Sequence, residues 1–275
     1  MQFRRLRGSV MWVAILIVAV VLLNFPMFWA LVTSFKPTNE TYTTSLIADQ
    51  PTLDNYRYSF EHFPLLELAG NTFITATVVA LGQVVIAALA AFALVHVAPR
   101  WKNLFLILAA VAMAIPPQTI IIPQFLMASS FGWANTLTGL IIPQLASSAL
   151  PILLLVQNIS VLPVSHVKAA RLDGARHHEI LLRVLLPEMA PTIAAVFILQ
   201  FISTWNEYLW PLLIAGRLDS TTIQMGLQMF MTSEGNHYGP LMATAVLAAA
   251  PVILIYLVAS RQITEAFKSS GRTMT

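Results

Sequence analysis

Apolar residues gather in six long runs along this chain, with shorter polar stretches between them. The runs cover about 10–35, 72–95, 103–122, 137–158, 192–214 and 241–260. Each is about 20 residues or longer, the length a helix needs to cross roughly 30 Å of hydrocarbon. Backbone amides surrounded by lipid have to be satisfied within their own segment, so the runs predict helices rather than open strands. Pro116, Pro117, Pro123 and Pro143 stand in or beside the third and fourth runs. Each removes an amide donor, which predicts kinks or breaks there. The expectation is an all-α, polytopic membrane protein with six transmembrane helices. No linker or shift in composition marks a second domain, so residues 1–275 read as a single transmembrane domain. The segment 36–69 is too short for a core of its own, and its aromatic and acidic residues suggest a partly ordered cap.

The polar positions between the runs set an orientation. With six spans both termini share a side, and that side holds Arg4, Arg5, Arg7, Arg100, Lys102, Lys168, Arg171, Arg176, Arg183, Arg261, Lys268 and Arg272. Lys36, Arg57 and Arg217 are the basic residues left for the other side, which also carries Glu40, Asp49, Asp54, Glu61, Glu67, Asp219 and Glu234. Loops rich in lysine and arginine stay in the cytoplasm, so both termini and the stretch 160–191 are expected there, in a bacterial cytoplasmic (inner) membrane. Removing one span from the count would put basic clusters on both faces. The first run follows three arginines but is too long for a signal peptide's apolar part, and no A-x-A-like site closes it, so it reads as an uncleaved span.

Composition agrees with a lipid environment. Only 10% of residues are charged and 57% are apolar, whereas soluble domains carry about a quarter charged residues. The absence of cysteine excludes disulfides and thiolate metal sites. The basic residues sit in short clusters beside apolar runs, which points to the membrane and away from nucleic acid. His177, His178 and Glu179 resemble metal ligands superficially. Adjacent side chains on a helix diverge by about 100° and do not converge on one ion. No Gly-x4-Gly-Lys-Ser/Thr phosphate loop is present, so this chain binds no ATP through one.

The stretch 160–191 is the most informative. Pro163 suits the start of a helix, the run from Val164 to Asp173 lacks internal glycine and proline, and Gly174 permits a sharp change of direction. A second short helix is expected over Ala175–Leu186, ended by Pro187. Ala169 and Ala170 put little bulk on the first helix, leaving its backbone open to close approach by a partner. Lys168, Arg171 and Arg176 offer charge for pairing. On composition alone, the same stretch reads first as a basic amphipathic loop lying on the membrane surface.

Ala169, Ala170, Gly174, Val184, Leu186 and Pro187 stand at the spacing A-A-x3-G-x9-[IV]-x-L-P. This resembles the cytoplasmic loop by which membrane subunits of ABC importers dock on their ATPases. The likeness continues in Thr33-Ser34-Phe35-Lys36, in Asn135-Thr136-Leu137-Thr138-Gly139-Leu140-Ile141-Ile142-Pro143, and in Trp205-Asn206-Glu207-Tyr208 followed by Trp210-Pro211-Leu212. The whole chain is similar to the carbohydrate-uptake (maltose or glycerol-3-phosphate type) permeases, and to the second permease of their pair.

The resemblance implies a type I ABC importer permease fold, with coupling helices between spans four and five. The docking residues it implies are Lys168, Ala169, Ala170, Arg171, Asp173, Gly174, Ala175, Val184, Leu186 and Pro187. The family usually has glutamate where this chain has Lys168, and the tail after Ala266 keeps little of the family's glycine-rich ending. Implied partners are a homologous permease, an ATPase homodimer carrying ATP and Mg, an extracytoplasmic solute-binding protein and a carbohydrate. The chain itself would hold no cofactor or metal and would be no enzyme. Trp205, Asn206, Glu207, Tyr208 and Gln118 are candidates for the substrate path or its gate. For Glu207, the acidic residue inside a run, a structural role capping a helix broken around Pro211 is an equal reading. Gln83, Gln124, Gln144, Gln157, Asn158 and Gln200 also bring polar atoms into apolar segments. An ion-gradient-driven secondary transporter is the alternative, with Glu207 as its titratable group.

Overall fold

Apolar sequence without water makes helix, and the breaks in this chain fall where proline or a polar cluster interrupts it. The computed structural model describes residues 2–232 and 235–271, with side chains described for 11–231 and 237–257. Glu234 and Arg272 therefore lie outside the described residues, as do the side chains of Arg4, Arg5, Arg7, Arg261 and Lys268. In chain order the α-helices are α1 (Gln2–Ser34), α2 (Asp54–His62), α3 (Leu65–Phe92), α4 (Lys102–Ala114), α5 (Pro117–Ser130), α6 (Leu137–Leu145) and α7 (Ala149–Val161). They continue with α8 (Val164–Leu172), α9 (His177–Glu179), α10 (Leu186–Glu188), α11 (Ala190–Trp205), α12 (Leu209–Ile214), α13 (Ile223–Gln228) and α14 (Tyr238–Gly271). The expectation of helix throughout is modified by one small antiparallel pair, β1 (Met231–Thr232) with β2 (Gly235–Asn236), in the register Met231↔Asn236 and Thr232↔Gly235.

Three helical stretches are long and apolar enough to cross a membrane unaided: Met11–Ser34, Leu65–Val97 and Tyr238–Leu257. The other expected spans are bent. The third is turned by 92° between Pro99–Ala114 and Pro117–Ser130, because Pro116 is extended and Pro117 begins the next helix. That corrects the boundary: the second arm runs past Ile122 to Ser130. The fourth bends by 46° between Leu137–Leu145 and Ala149–Val161. Pro123 and Pro143 lie inside α5 and α6 without breaking them, so only part of the proline expectation holds. The fifth is not one helix over 192–214, since it stops at Trp205 and resumes at Leu209.

The chain divides into two compact units. One comprises Met1–Leu65 and Gly226–Ala250. Its long α1 buries none of its most apolar stretch within the chain, which suits a helix solvated by hydrocarbon. The segment after α1 is pinned by Lys36, whose side chain is fully buried. Its ammonium donates to the Thr43 carbonyl at 3.0 Å and the Ser45 carbonyl at 2.7 Å, and lies 4.8 Å from the centre of the Trp29 ring. Lys36 is therefore an internal strut and not the exposed charge that the orientation count assumes. Asn55 on α2 adds two further ties, donating to the Ser34 carbonyl at 2.9 Å and the Lys36 carbonyl at 2.7 Å. Ser59 reaches the Pro240 carbonyl at 3.2 Å, and Phe63 packs 4.3 Å from Phe230.

The other unit comprises Leu66–Met225 and Pro251–Thr275. Alanines on α3 set its packing: Ala76, Ala80, Ala87 and Ala91 are fully buried at spacings of four and seven, on one face of the helix. Between helices in lipid, small residues of this kind allow backbones to approach and gain dispersion contact. The main core joins Ala87, Ala91 and Phe92 of α3 to Leu155, Val156 and Ile159 of α7. A smaller core holds Ala128, Leu140, Trp210 and Ile214. There Gly139 has no room for a side chain against the Trp133 carbonyl, and its own carbonyl accepts from the Trp210 indole at 3.0 Å.

Asn55→Ala would strip two buried carbonyls of their donor, at a cost of about 1–3 kcal/mol for each group left unpaired. The expected outcome is a lower thermal unfolding midpoint in detergent, and an unchanged midpoint would remove Asn55 from this account.

Candidate functional site: a two-arm loop and an amide-lined cavity

Residues 160–191 fold as two helical arms joined at a glycine. The first arm is α8. The second runs continuously from His177 to Glu188, through α9, a π turn at Ile180–Leu185 and α10. Gly174 sits at φ +80°, where L side chains are strained. Its turn closes α8 through bonds from the Asp173, Gly174 and Ala175 amides to the Ala169, Arg171 and Ala170 carbonyls, at 3.0, 3.1 and 2.9 Å. The second arm is capped by Glu179, which accepts from the Arg176 amide at 2.8 Å. That hydrogen bond, helped by Arg183 and His178, holds the Glu179 carboxyl below its ordinary value. The cap is thus present at neutral pH and is lost as pH falls through the lowered value. A contact of 2.6 Å between His166 and Glu188 ties the start of one arm to the end of the other.

The loop has a buried face and a bare tip. Val167, Ile180, Leu181, Leu185 and Met189 enter the main core beside Phe92, Leu155 and Ile159. Arg171 also reaches the His96 carbonyl at 3.2 Å. Lys168, Ala169, Arg171, Leu172, Asp173, Gly174 and Arg176 are exposed. Leu172 is 89% exposed, an apolar side chain held in water by the turn beside it. Ala175 and Val184 are half-buried behind the tip. Pro187 does not end the second arm, contrary to expectation. It lies in the first turn of α10, directly after the π turn, whose shifted hydrogen bonds relieve the clash a proline makes inside a regular helix. The chain changes direction two residues later, by 80° between His177–Glu188 and Ala190–Trp205.

The second feature is a cavity of about 340 Å³ bounded by α3, α5, α6, α7, α11 and α12. Five side-chain amides stand on its wall, Gln83, Gln118, Gln124, Gln144 and Gln200, with Ser147, Ser203, Thr204 and Glu207. Gln83 donates to the Gln144 carbonyl at 2.7 Å and accepts from Gln200. Glu207 is the charged residue on the wall. Its Oε1 accepts from the Leu209 amide at 3.0 Å and the Trp210 amide at 3.2 Å, so it caps α12 across the break in the fifth apolar run. A carboxylate at the first amides of a helix satisfies donors that have no intrahelical partner.

Residues 83–267 match the family model of the binding-protein-dependent transport system inner membrane component. The chain belongs to that family. An arabinooligosaccharide transport permease, AraQ of Halalkalibacterium halodurans, is 29% identical over 238 residues, covering 85% of each chain. The sn-glycerol-3-phosphate transport permease UgpE of Brucella abortus is 29% identical over 258 residues, covering 90% of this chain and 91% of the other. A crystal structure of a bacterial ABC transporter that imports the acidic polysaccharide alginate matches with a TM-score of 0.81 at 22% identity, over 94% of this chain and 96% of that one. That likeness gives the fold, and the fold is the one the resemblance of the loop implied.

Within this inner-membrane component the structure sorts the residues singled out by sequence. Gln118 and Glu207 stand on the cavity wall. Trp205 is buried and stacks on Phe201 at 5.6 Å. Asn206 is turned back onto the Ile202 carbonyl at 2.8 Å, and Tyr208 is half-buried beside the break. Trp205, Asn206 and Tyr208 do not line the cavity. Asn135 and Thr136 serve the fold: Asn135 takes a left-handed conformation and Thr136 caps α6 through the Gly139 amide at 3.1 Å. Ser147, Ser203, Thr204 and Leu172 went unremarked in the sequence. The serines and threonine break apolar runs as the glutamines do, and that was their available signal. Leu172 gave none, because exposure of one leucine depends on the turn.

Replacing Glu207 by alanine should cost about 0.5–2 kcal/mol through the lost cap, read as a lower unfolding midpoint, while glutamine, which keeps an acceptor oxygen, should recover most of it. Equal loss in both variants would mean that charge, not capping, is what Glu207 contributes.

Proposed function

We propose that this chain is one of two membrane-spanning subunits of an ATP-driven importer that receives a carbohydrate from an extracytoplasmic binding protein. The observation that carries the reading is the two-arm loop: a rigid element with a bare tip and an apolar face built into the core of the helices beside the cavity. Force applied at the tip reaches α3, α7 and α11 through packed side chains, because close-packed interiors transmit displacement instead of absorbing it. The tip residues from Lys168 to Gly174 are the docking surface for an ATPase homodimer, which would hold ATP and Mg. The chain itself performs no chemistry.

Six spans follow if the bent third and fourth pairs and the broken fifth run each cross the membrane as one unit, forming one transmembrane domain in the bacterial inner membrane with both termini and the loop cytoplasmic. The distribution of basic residues supports this orientation. A second, homologous permease would complete the path. Closure of the ATPase dimer would move the loop and open the cavity toward the loaded binding protein, and hydrolysis would reset it inward. Amide side chains both donate and accept, as sugar hydroxyls require when they leave water. The relatives that transport arabinooligosaccharides and sn-glycerol 3-phosphate support a carbohydrate or polyol derivative as cargo. Glu207 is committed to two backbone amides, which weakens the case for it as the proton carrier of a gradient-driven transporter.

Two measurements test the reading. Purification from native membranes in mild detergent should recover an ATPase and a second permease with this chain, and a chain recovered alone under conditions that preserve known complexes would overturn it. In the assembled complex, Gly174→Val forces a branched side chain into a left-handed turn. ATP hydrolysis should persist while uptake falls by about tenfold or more, within the usual range of coupling between sites. Unchanged uptake would dispose of the loop as the lever.

A further inference from the structure

A second, larger opening lies against α3, α4 and α7. It has a volume of about 820 Å³, and its wall is hydrocarbon apart from the Ser148 hydroxyl and the Trp101 indole N–H. From α4 and the turn before it come Trp101, Phe105, Leu108, Ala109 and Ala112, one stripe of the helix. From α3 and the π turn after it (Ala93–Val97) come Ile86, Ala90, Ala93 and Leu94, and from α7 Ala149 and Ile152. Ser148 spends its hydroxyl on the Leu145 carbonyl at 2.6 Å. The wall is thus almost wholly apolar, and small alanine side chains hollow out the floor.

Length and charge decide what the groove holds. Trp101 to Ala112 spans about 16 Å of helix at 1.5 Å per residue, close to half of a roughly 30 Å hydrocarbon layer. The lining contributed by α4 ends at Ala112, just before the helix itself ends at Ala114 and the chain turns by 92°. A spanning helix of another subunit would need about twice that length. The open end is cationic. Arg100 lies 5.8 Å from the centre of the Trp101 ring, and Lys102 donates to the Ser160 hydroxyl at 2.7 Å. No acidic side chain lines the groove. An apolar channel one leaflet deep, with cations at its surface end only, has the polarity of a single lipid.

We propose that this groove is a binding site for an anionic phospholipid of the leaflet facing the two-arm loop, one acyl chain lying along α4 and the phosphate between Arg100 and Lys102. The site rests on the membrane-spanning reading of α3 and α4, and does not depend on the cargo or on the coupling mechanism. Because the bilayer is as apolar as the groove, selectivity comes from the headgroup. Each basic side chain near the surface is worth about fivefold in preference for an anionic lipid.

The test uses the purified complex in nanodiscs containing phospholipid brominated on the acyl chain, which quenches nearby indoles. The Trp101 contribution is isolated by subtracting the Trp101→Phe variant. Brominated phosphatidylglycerol should quench that component at a mole fraction about five- to twentyfold below brominated phosphatidylcholine, and the preference should vanish in Arg100→Gln/Lys102→Gln. Equal quenching by the two lipids would overturn the headgroup assignment. No quenching of Trp101 by either would mean that protein covers the groove, and would overturn the site. Co-purification of the ATPase is scored in the same preparation, so loss of the importer reading is distinguished from loss of the lipid site.

Discussion

The contact on which this architecture depends is the seating of the loop's apolar face on the alanine-rich end of α3. Val167, Ile180, Leu181, Leu185 and Met189 all enter a core whose other walls are α3, α7 and α11. Burying an aliphatic side chain contributes about 1.5–3 kcal/mol when the alternative is water, and these five come from the part of the chain that lies outside the apolar runs. Without that seat the two arms would be a basic peptide on a membrane surface. With it they are a continuation of the helices that surround the cavity.

The same economy of small side chains appears throughout. Ala76, Ala80, Ala87 and Ala91 let helices approach within the spans, and further alanines hollow the apolar groove beside α4. Where helices break, the freed backbone groups are met by named side chains. Glu207 caps α12, Thr136 caps α6, and Gln83 serves the carbonyl of Gln144. Polar residues in an apolar sequence thus divide between mending the backbone and lining the cavity, and Gln83 and Glu207 do both.

Much of this was legible in the sequence for physical reasons. Long apolar runs mean helix because lipid offers no hydrogen bonds, and the Ala-Ala, glycine and proline spacing marked the two arms before any coordinates. Gly174 occupies the one position in the loop where a left-handed turn needs it. Other features were not legible because they depend on three-dimensional convergence. Five glutamines scattered over 118 positions of sequence, from Gln83 to Gln200, carry no sign that they share a wall. Pro187 misled because a local π turn changes what a proline does to a helix. The bend in the third run was legible in Pro116, whereas hydropathy alone passes over the Asn206–Tyr208 break in the fifth.

The burial of Lys36 reaches into how such a protein can be studied. Arg57 and Arg217 are the other basic residues assigned to its side of the membrane, and neither carries a primary amine. A membrane-impermeant, amine-reactive label applied to that face would meet no accessible lysine among the described residues. Silence in that assay would reflect a side chain locked beneath Thr43 and Ser45, and would carry no information about which way the chain is threaded through the bilayer.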